Sequence, residues 1–212
     1  MATYWFGRAW IDDGWQHDVR LSVDNGRISA VEAGVEAARD DERHAAALPG
    51  LCNVHSHGFQ RGMAGLSERR SRPDDNFWSW REIMYRFLDR LTPEDVAAIT
   101  AQAYVEMLEG GFTRVGEFHY LHHDPAGATY ADPAEMAGAI VEASAATGIG
   151  LTLLPVFYAH GNFGGAAPST GQRRFLNDVD GFATLLDASR SKLTGDANIG
   201  IAPHSLRAVD PA

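Results

Sequence analysis

Leu48-Pro49-Gly50-Leu51-Cys52-Asn53-Val54-His55-Ser56-His57-Gly58 is the stretch that decides the fold. Its apolar run, Leu48 to Val54, ends abruptly in His-Ser-His-Gly, the pattern of a buried parallel strand with polar groups at its C-terminal end. Residues i and i+2 of an extended chain point the same way, so His55 and His57 can present both imidazoles to one ion. Imidazole suits zinc, and two rings fill only part of its coordination shell. His-x-His alone is weak evidence of a metal. Its place behind an apolar strand that opens a β/α series gives it force, because two solvent-facing loop histidines would leave that place unexplained.

Downstream the rhythm is strand, helix, strand. A polar, Gly- and Arg-rich stretch over 58–75 leads to a helix predicted from Asn76 to Leu91, where Trp78, Trp80 and Phe87 are read as packing residues. Thr92, Pro93 and Asp95 then supply the cap, first-turn proline and capping-box acid of a second helix. Val96, Ile99, Ala103, Tyr104, Met107 and Leu108 mark one face of it, and Gly110-Gly111 ends it. Phe112 to Phe118 reads as a strand, followed at once by His119-Tyr120. Asp132-Pro133-Ala134-Glu135 opens another helix that runs to Gly148, and Ile149 to Tyr158 is a third strand. After a glycine-rich loop, 161–171, come a helix over about 178–193 and a fourth strand, Ile199 to Pro203, with His204, Ser205 and Arg207 just past its end.

Upstream, Val19, Leu21 and Val23 alternate with Arg20 and Ser22 before Asp24-Asn25-Gly26, and the apolar pattern resumes at Ile28. Asn-Gly between alternating segments signals a hairpin. Residues 33–44, rich in Ala, Glu and Asp, read as a surface excursion. The first 47 residues are therefore expected to form a small β unit.

Alternating β and α elements imply a parallel sheet, either doubly wound or a (β/α)8 barrel. Polar residues gather at the C-terminal ends of all four strands, as barrel active sites require. A doubly wound nucleotide fold wants a Gly-rich phosphate loop after its first strand, where this chain has His-Ser-His. Four strands do not close a barrel, and Asp210-Pro211-Ala212 follows directly on the fourth. The reading is thus a first half-barrel over 48–212, an incomplete fragment with an open strand edge.

Composition narrows the function. The 212 residues are 45% hydrophobic and 22% charged, enough for a packed core. A net charge of −10 argues against nucleic acid and anionic membranes as partners, since both select basic faces. No apolar run is long enough to span a bilayer, and the first residues lack a secretory signal. Cys52 is the only cysteine, which excludes a disulfide framework and suits a reducing cytoplasm.

Several segments together carry a family resemblance: Leu48-Pro49-Gly50 with His55 to Gly65, Phe77-Trp78-Ser79-Trp80-Arg81, Glu117 to His123, and Pro203-His204-Ser205-Leu206-Arg207. In this order they resemble the formimidoylglutamate deiminases of the amidohydrolase superfamily, whose members often carry a small β-sandwich beside the barrel. The resemblance implies hydrolysis of N-formimidoyl-L-glutamate to N-formyl-L-glutamate and ammonia in histidine breakdown, with His55 and His57 as zinc ligands. It assigns Gln60, Arg81, Tyr120, His204 and Arg207 to the substrate site and is compatible with a homodimer of the intact protein. The proton-transfer glutamate and the remaining ligands come from later strands in that family. None is present in this chain, so the fragment alone is expected to be inactive.

The chemistry of these residue types agrees. A glutamate-derived substrate has two carboxylates, and guanidinium forks bind carboxylates bidentately. Each residue also has a plain reading: Arg81 snorkelling along an aromatic helix, Tyr120 at a sheet edge, Arg207 on the surface. His119, His122 and His123 are read as supporting or surface groups rather than a second metal site. Two other functions stay open at this point, a guanine or purine-type deaminase and a non-catalytic half-barrel.

Overall fold

The computed structural model describes residues 1–66 and 73–210. Contacts divide the chain into two units, Met1–Gly50 and Leu51–Ala212. Part of the polar stretch expected over 58–75 lies outside the described residues.

The first unit is one four-stranded sheet in the order β3-β2-β1-β4. β1 (Ala2–Ile11) and β2 (Gly14–Asp24) form an antiparallel pair whose turn residues, Asp12 and Asp13, have φ of 50° and 65°. β3 (Arg27–Glu32) continues the meander through the expected turn, with φ of 49° at Asn25 and 74° at Gly26. Both values lie in the left-handed region that a two-residue hairpin demands. The surface excursion ends earlier than expected: Glu42–Ala47 is β4, parallel to β1. A buried carboxylate governs that return. Asp41 accepts from Arg20 Nε at 3.0 Å and from Ala38 N at 2.7 Å, which holds the chain against β2 just before β4 begins.

The second unit contains β5 (Leu51–Ser56), β6 (Phe112–His119) and β7 (Gly150–Phe157), paired in parallel in that order. Helices make the crossovers. α1 (Phe77–Leu88) starts at Asn76, whose side chain accepts from Trp78 N. α2 (Pro93–Glu109) starts at Thr92 with a reciprocal Thr92–Asp95 capping box. α3 (Glu135–Thr147) ends at Gly148, whose φ of 81° is the left-handed stop a glycine permits. α4 (Val179–Lys192) is capped by Asp178, which accepts from Gly181 N.

Alternate residues of the sheet (Val115, Glu117 and His119; Leu151 and Leu153) are buried, and Val115, Leu151 and Leu153 join Val96, Tyr104 and Ile140 of α2 and α3 in one core. The other face is open: Val54 is 80% exposed, although its run reads as a buried strand. An apolar parallel strand is covered on both faces only when both faces have a partner, and this sheet has helices on one.

The fourth strand is interrupted. β8 (Asn198–Ile199) and β9 (Ala202–Pro203) each pair with β7, separated by Gly200 and Ile201; a Cβ on Gly200 would lie 2.8 Å from Leu154 Cδ2. No helix among the described residues is long and apolar enough to cross a membrane.

Candidate active site

The C-terminal ends of β5, β6, β7 and β9 open on a cavity of about 270 Å³. His55 and His57, Gln60, Arg81, Tyr120, His204 and Arg207 all line it, so every residue singled out for the site from sequence converges there.

His55 lies near the end of β5, and His57 follows that strand as the cap of a 3-10 turn, Gly58–Met63. Their Nε2 atoms approach to 3.0 Å. His57 Nδ1 lies 3.0 Å from Phe118 O, and a carbonyl oxygen only accepts, so Nδ1 carries the proton and Nε2 presents its lone pair. This is how proteins fix a ligating imidazole: one nitrogen tied to the backbone, the other aimed at the ion. Burial lowers the pKa of His57, as does neighbouring His55, while the Phe118 contact opposes them. The ring is therefore neutral, as a metal ligand must be. Two tetrahedral ligands at ordinary Zn–N distances sit about 3.3 Å apart, close to the separation here. The donor pair fits zinc. Among the described residues no group of three or more His, Cys, Asp or Glu is placed to hold a metal ion.

Substrate-side residues are held by one another. Gln60 Nε2 donates to Tyr120 Oη at 2.8 Å, and Tyr120 Oη contacts Met84 Sδ at 3.4 Å. Tyr120 is 5% exposed, so the sheet-edge reading fails; burial holds its phenol in the neutral form. Its ring meets those of His57 and His204 edge-on at 5.3 and 5.9 Å.

Arg81 does not snorkel outward. It lies over the Tyr85 ring at 5.1 Å and donates through Nη2 to Tyr158 Oη at 3.3 Å. Arg207 reaches the same cavity over Phe77, at 5.8 Å. Neither guanidinium is paired with a carboxylate among the described residues. His204 is placed by its own backbone, N donating to Phe157 O at 3.1 Å. Burial, then Arg207, His57 and Arg81, bring its pKa down to about 4, so the ring is neutral at pH 7.

Two readings need correction. His119, His122 and His123 are not surface groups but core residues, 0, 1 and 5% exposed: His119 ends β6 on its buried side, and His122 and His123 contact the carbonyls of Val156 and Leu176. Trp78 is 53% exposed rather than packed, while Trp80 lines the cavity. Glu117 is fully buried and tethers the loop that follows β5. It accepts from Gly58 N at 2.6 Å and from Tyr104 Oη at 3.2 Å. Alternation along β6 could have placed it on the helix side; nothing local points to Gly58.

The model of the amidohydrolase family matches residues 46–205, three quarters of the chain. The chain belongs to the amidohydrolase family. A second model, described as formimidoylglutamate deiminase HutF, N-terminal domain, matches residues 3–45 of this amidohydrolase chain. The formimidoylglutamate deiminase of Pseudomonas aeruginosa is 46% identical over 213 residues, 100% of this chain and 47% of that protein. A crystal structure of an amidohydrolase from Brucella melitensis superposes with a TM-score of 0.95 at 54% identity, over 100% of this chain and 48% of that one. An atrazine chlorohydrolase variant from Arthrobacter aurescens, complexed with zinc and atraton, shares the fold alone: TM-score 0.73 at 20% identity, over 100% of this chain and 48% of that one. The chain thus spans about half the length of these relatives, and its parallel α/β unit is the first half of their (β/α)8 barrel.

Proposed function

We propose that residues 48–212 form a partial barrel carrying the substrate-recognition groups and first two metal ligands of a formimidoylglutamate deiminase, preceded in sequence by an N-terminal β unit over 1–47. The reaction is hydrolysis of N-formimidoyl-L-glutamate to N-formyl-L-glutamate and ammonia. One observation carries this reading above the others. In a chain with 28 Asp and Glu against 18 Lys and Arg, two arginines enter one cavity without a carboxylate partner among the described residues. Such guanidiniums await an anion, and a glutamate derivative brings two. A purine offers none, which argues against base deamination.

His55 and His57 would hold one zinc ion, which supplies Lewis-acid activation of water for attack on the amidine carbon. Arg81 and Arg207 bind the carboxylates. Gln60 and Tyr120, bonded to each other, orient the chain between carboxylates and amidine, and neutral His204 offers the amidine a hydrogen bond. Ammonia leaves only after its nitrogen is protonated, which requires a proton-transfer group facing the cavity. Glu117 is bonded to Gly58 N and Tyr104 Oη away from the cavity, so it is not that group, and the role is assigned to a carboxylate of the other half-barrel. The sole cysteine, Cys52, is free, which suits the cytoplasm; a homodimer of the intact enzyme is compatible with this arrangement.

Ammonia release by the intact enzyme tests the reading. Zinc-loaded enzyme should consume formimidoylglutamate and leave guanine untouched. Arg207→Met removes a charge-assisted contact of about 1.5–3 kcal/mol, so kcat/KM should fall roughly 10- to 150-fold. An unchanged value would remove Arg207 from the substrate site.

A further inference from the structure

Tyr158, at the end of β7, shows a hydrogen-bond arithmetic that leaves one proton over. Its ring is 3% exposed and packs 4.6 Å from the His204 ring, with its hydroxyl between α1 and the loop before α4. Two donors meet that oxygen: Gln172 Nε2 at 2.6 Å and Arg81 Nη2 at 3.3 Å.

Neither direction can be reversed. A guanidinium has no acceptor, so Arg81 donates. Gln172 is an amide, and its orientation is fixed by two backbone groups of known polarity. Gln172 Oε1 accepts from Ser169 N at 2.8 Å, and an N–H only donates. Gln172 Nε2 also donates to Gly161 O at 3.0 Å, and a carbonyl only accepts. The amide therefore turns its nitrogen toward Tyr158.

A phenolic oxygen has two lone pairs and one proton. Gln172 and Arg81 occupy both lone pairs, and the remaining O–H has no acceptor among the described residues. Tyr158 lines the cavity, so the unspent proton belongs to whatever fills it. Tyr85 adds an independent observation. Its hydroxyl is buried next to Arg81, which can only donate to it, so the phenol proton has no acceptor among the described residues. Burial raises that phenol to about 12, so it too keeps its proton. Buried donors left unpaired beside a cation ask for an oxyanion.

We infer that Tyr158 is a further ligand-binding residue, its hydroxyl forced by Gln172 and Arg81 to donate to the carboxylate that Arg81 holds, with Tyr85 completing the cradle. The inference rests on the dicarboxylate reading above and deepens it, since it makes the loop 161–172 part of the recognition of the substrate. Gln172 touches no ligand and acts through the tyrosine as a positioning residue.

Two variants of the intact zinc enzyme test this. Tyr158→Phe keeps the ring against His204 and removes only the hydroxyl. Gln172→Glu replaces the amide donor with an acceptor that draws the tyrosine proton away from the cavity. Each should weaken L-glutamate binding, measured by calorimetry, by about tenfold or more, as expected for a hydrogen bond to a charged group. KM for formimidoylglutamate should rise in parallel while kcat stays within about threefold, because a carboxylate contact is made equally in ground and transition states. Wild-type turnover with both variants unchanged in KM and glutamate affinity overturns the inference and leaves the substrate reading standing. So does a fall confined to kcat. A wild-type enzyme that neither binds L-glutamate nor consumes formimidoylglutamate overturns both.

Discussion

Acid should unfold this protein through a histidine that binds nothing. His122 is 1% exposed, and its Nε2 lies 2.9 Å from Val156 O, so Nε2 carries the proton. Nδ1 is buried without a partner. Protonating Nδ1 would create a buried cation with a donor and nowhere to place it. Burial first, then neighbouring His123, lowers the pKa from 6.5 to about 4, against the opposing Val156 contact. The folded state therefore binds fewer protons than the unfolded chain between about pH 6.5 and 4, and stability must fall as pH falls through that window. Above it the ring is neutral in both states and contributes no slope. At about 1.4 kcal/mol per pKa unit, the full loss at this one residue is roughly 3 kcal/mol. His122→Gln retains an amide donor for Val156 O and cannot titrate. Urea denaturation of chelator-treated intact protein, at steps between pH 7.5 and 4, gives the difference in unfolding free energy between parent and variant. All other side chains are common to the two proteins, so the comparison isolates the substitution. At pH 7.5 the variant should be less stable by about 1–2 kcal/mol from poorer packing. By pH 4 the difference should have moved about 3 kcal/mol in favour of the variant. Parallel curves would refute the argument, since they would mean that His122 titrates alike in folded and unfolded chains.

Glu117→Gln should keep an acceptor for Gly58 N while weakening the tether beside His57; zinc affinity of the intact enzyme, by chelator competition, should drop about 10- to 100-fold, as for other groups that orient a ligand. Gly171→Ala should be poorly tolerated, because its Cβ would lie 2.3 Å from the Tyr85 ring. Relief requires moving Tyr85 or the loop, at about 1–3 kcal/mol of stability, and melting curves together with a raised KM would report both.

Much of the fold was legible where local chemistry and tertiary packing agree. Thr92-Pro93-Glu94-Asp95 announces α2, and the helix begins there because cap, proline and acid all serve the same unpaired N–H groups. His55 and His57 were legible because strand periodicity alone puts both rings on one side. The fourth strand was less so: the apolar pattern over 199–203 hides a break over Gly200 and Ile201, and the close approach of Leu154 to Gly200 lies 46 positions back along the chain. β4 was partly missed because its strand reads as charged and small residues, and its place is fixed by Asp41 accepting from Arg20, 21 positions away. The same limit applies at the site. Arg81 could be read either way until Tyr158 was seen beneath it, 77 positions along the chain. Tyr158 itself sits in an apolar strand whose sequence gives no sign that Gln172 and Arg81 share its oxygen. The histidines after β6 look polar and loop-like, yet backbone carbonyls of Val156 and Leu176 receive two of them inside the core.

In the proposed enzyme one cavity joins His55 and His57, as zinc ligands, to a dicarboxylate cradle. Anomalous diffraction at the zinc edge from crystals of the intact enzyme soaked with L-glutamate tests it most directly. A zinc peak is expected about 2.0–2.1 Å from Nε2 of both His55 and His57, with the ligand's carboxylates against Arg81 and Arg207. Zinc bound away from this pair, or glutamate bound with both guanidiniums untouched, would contradict it.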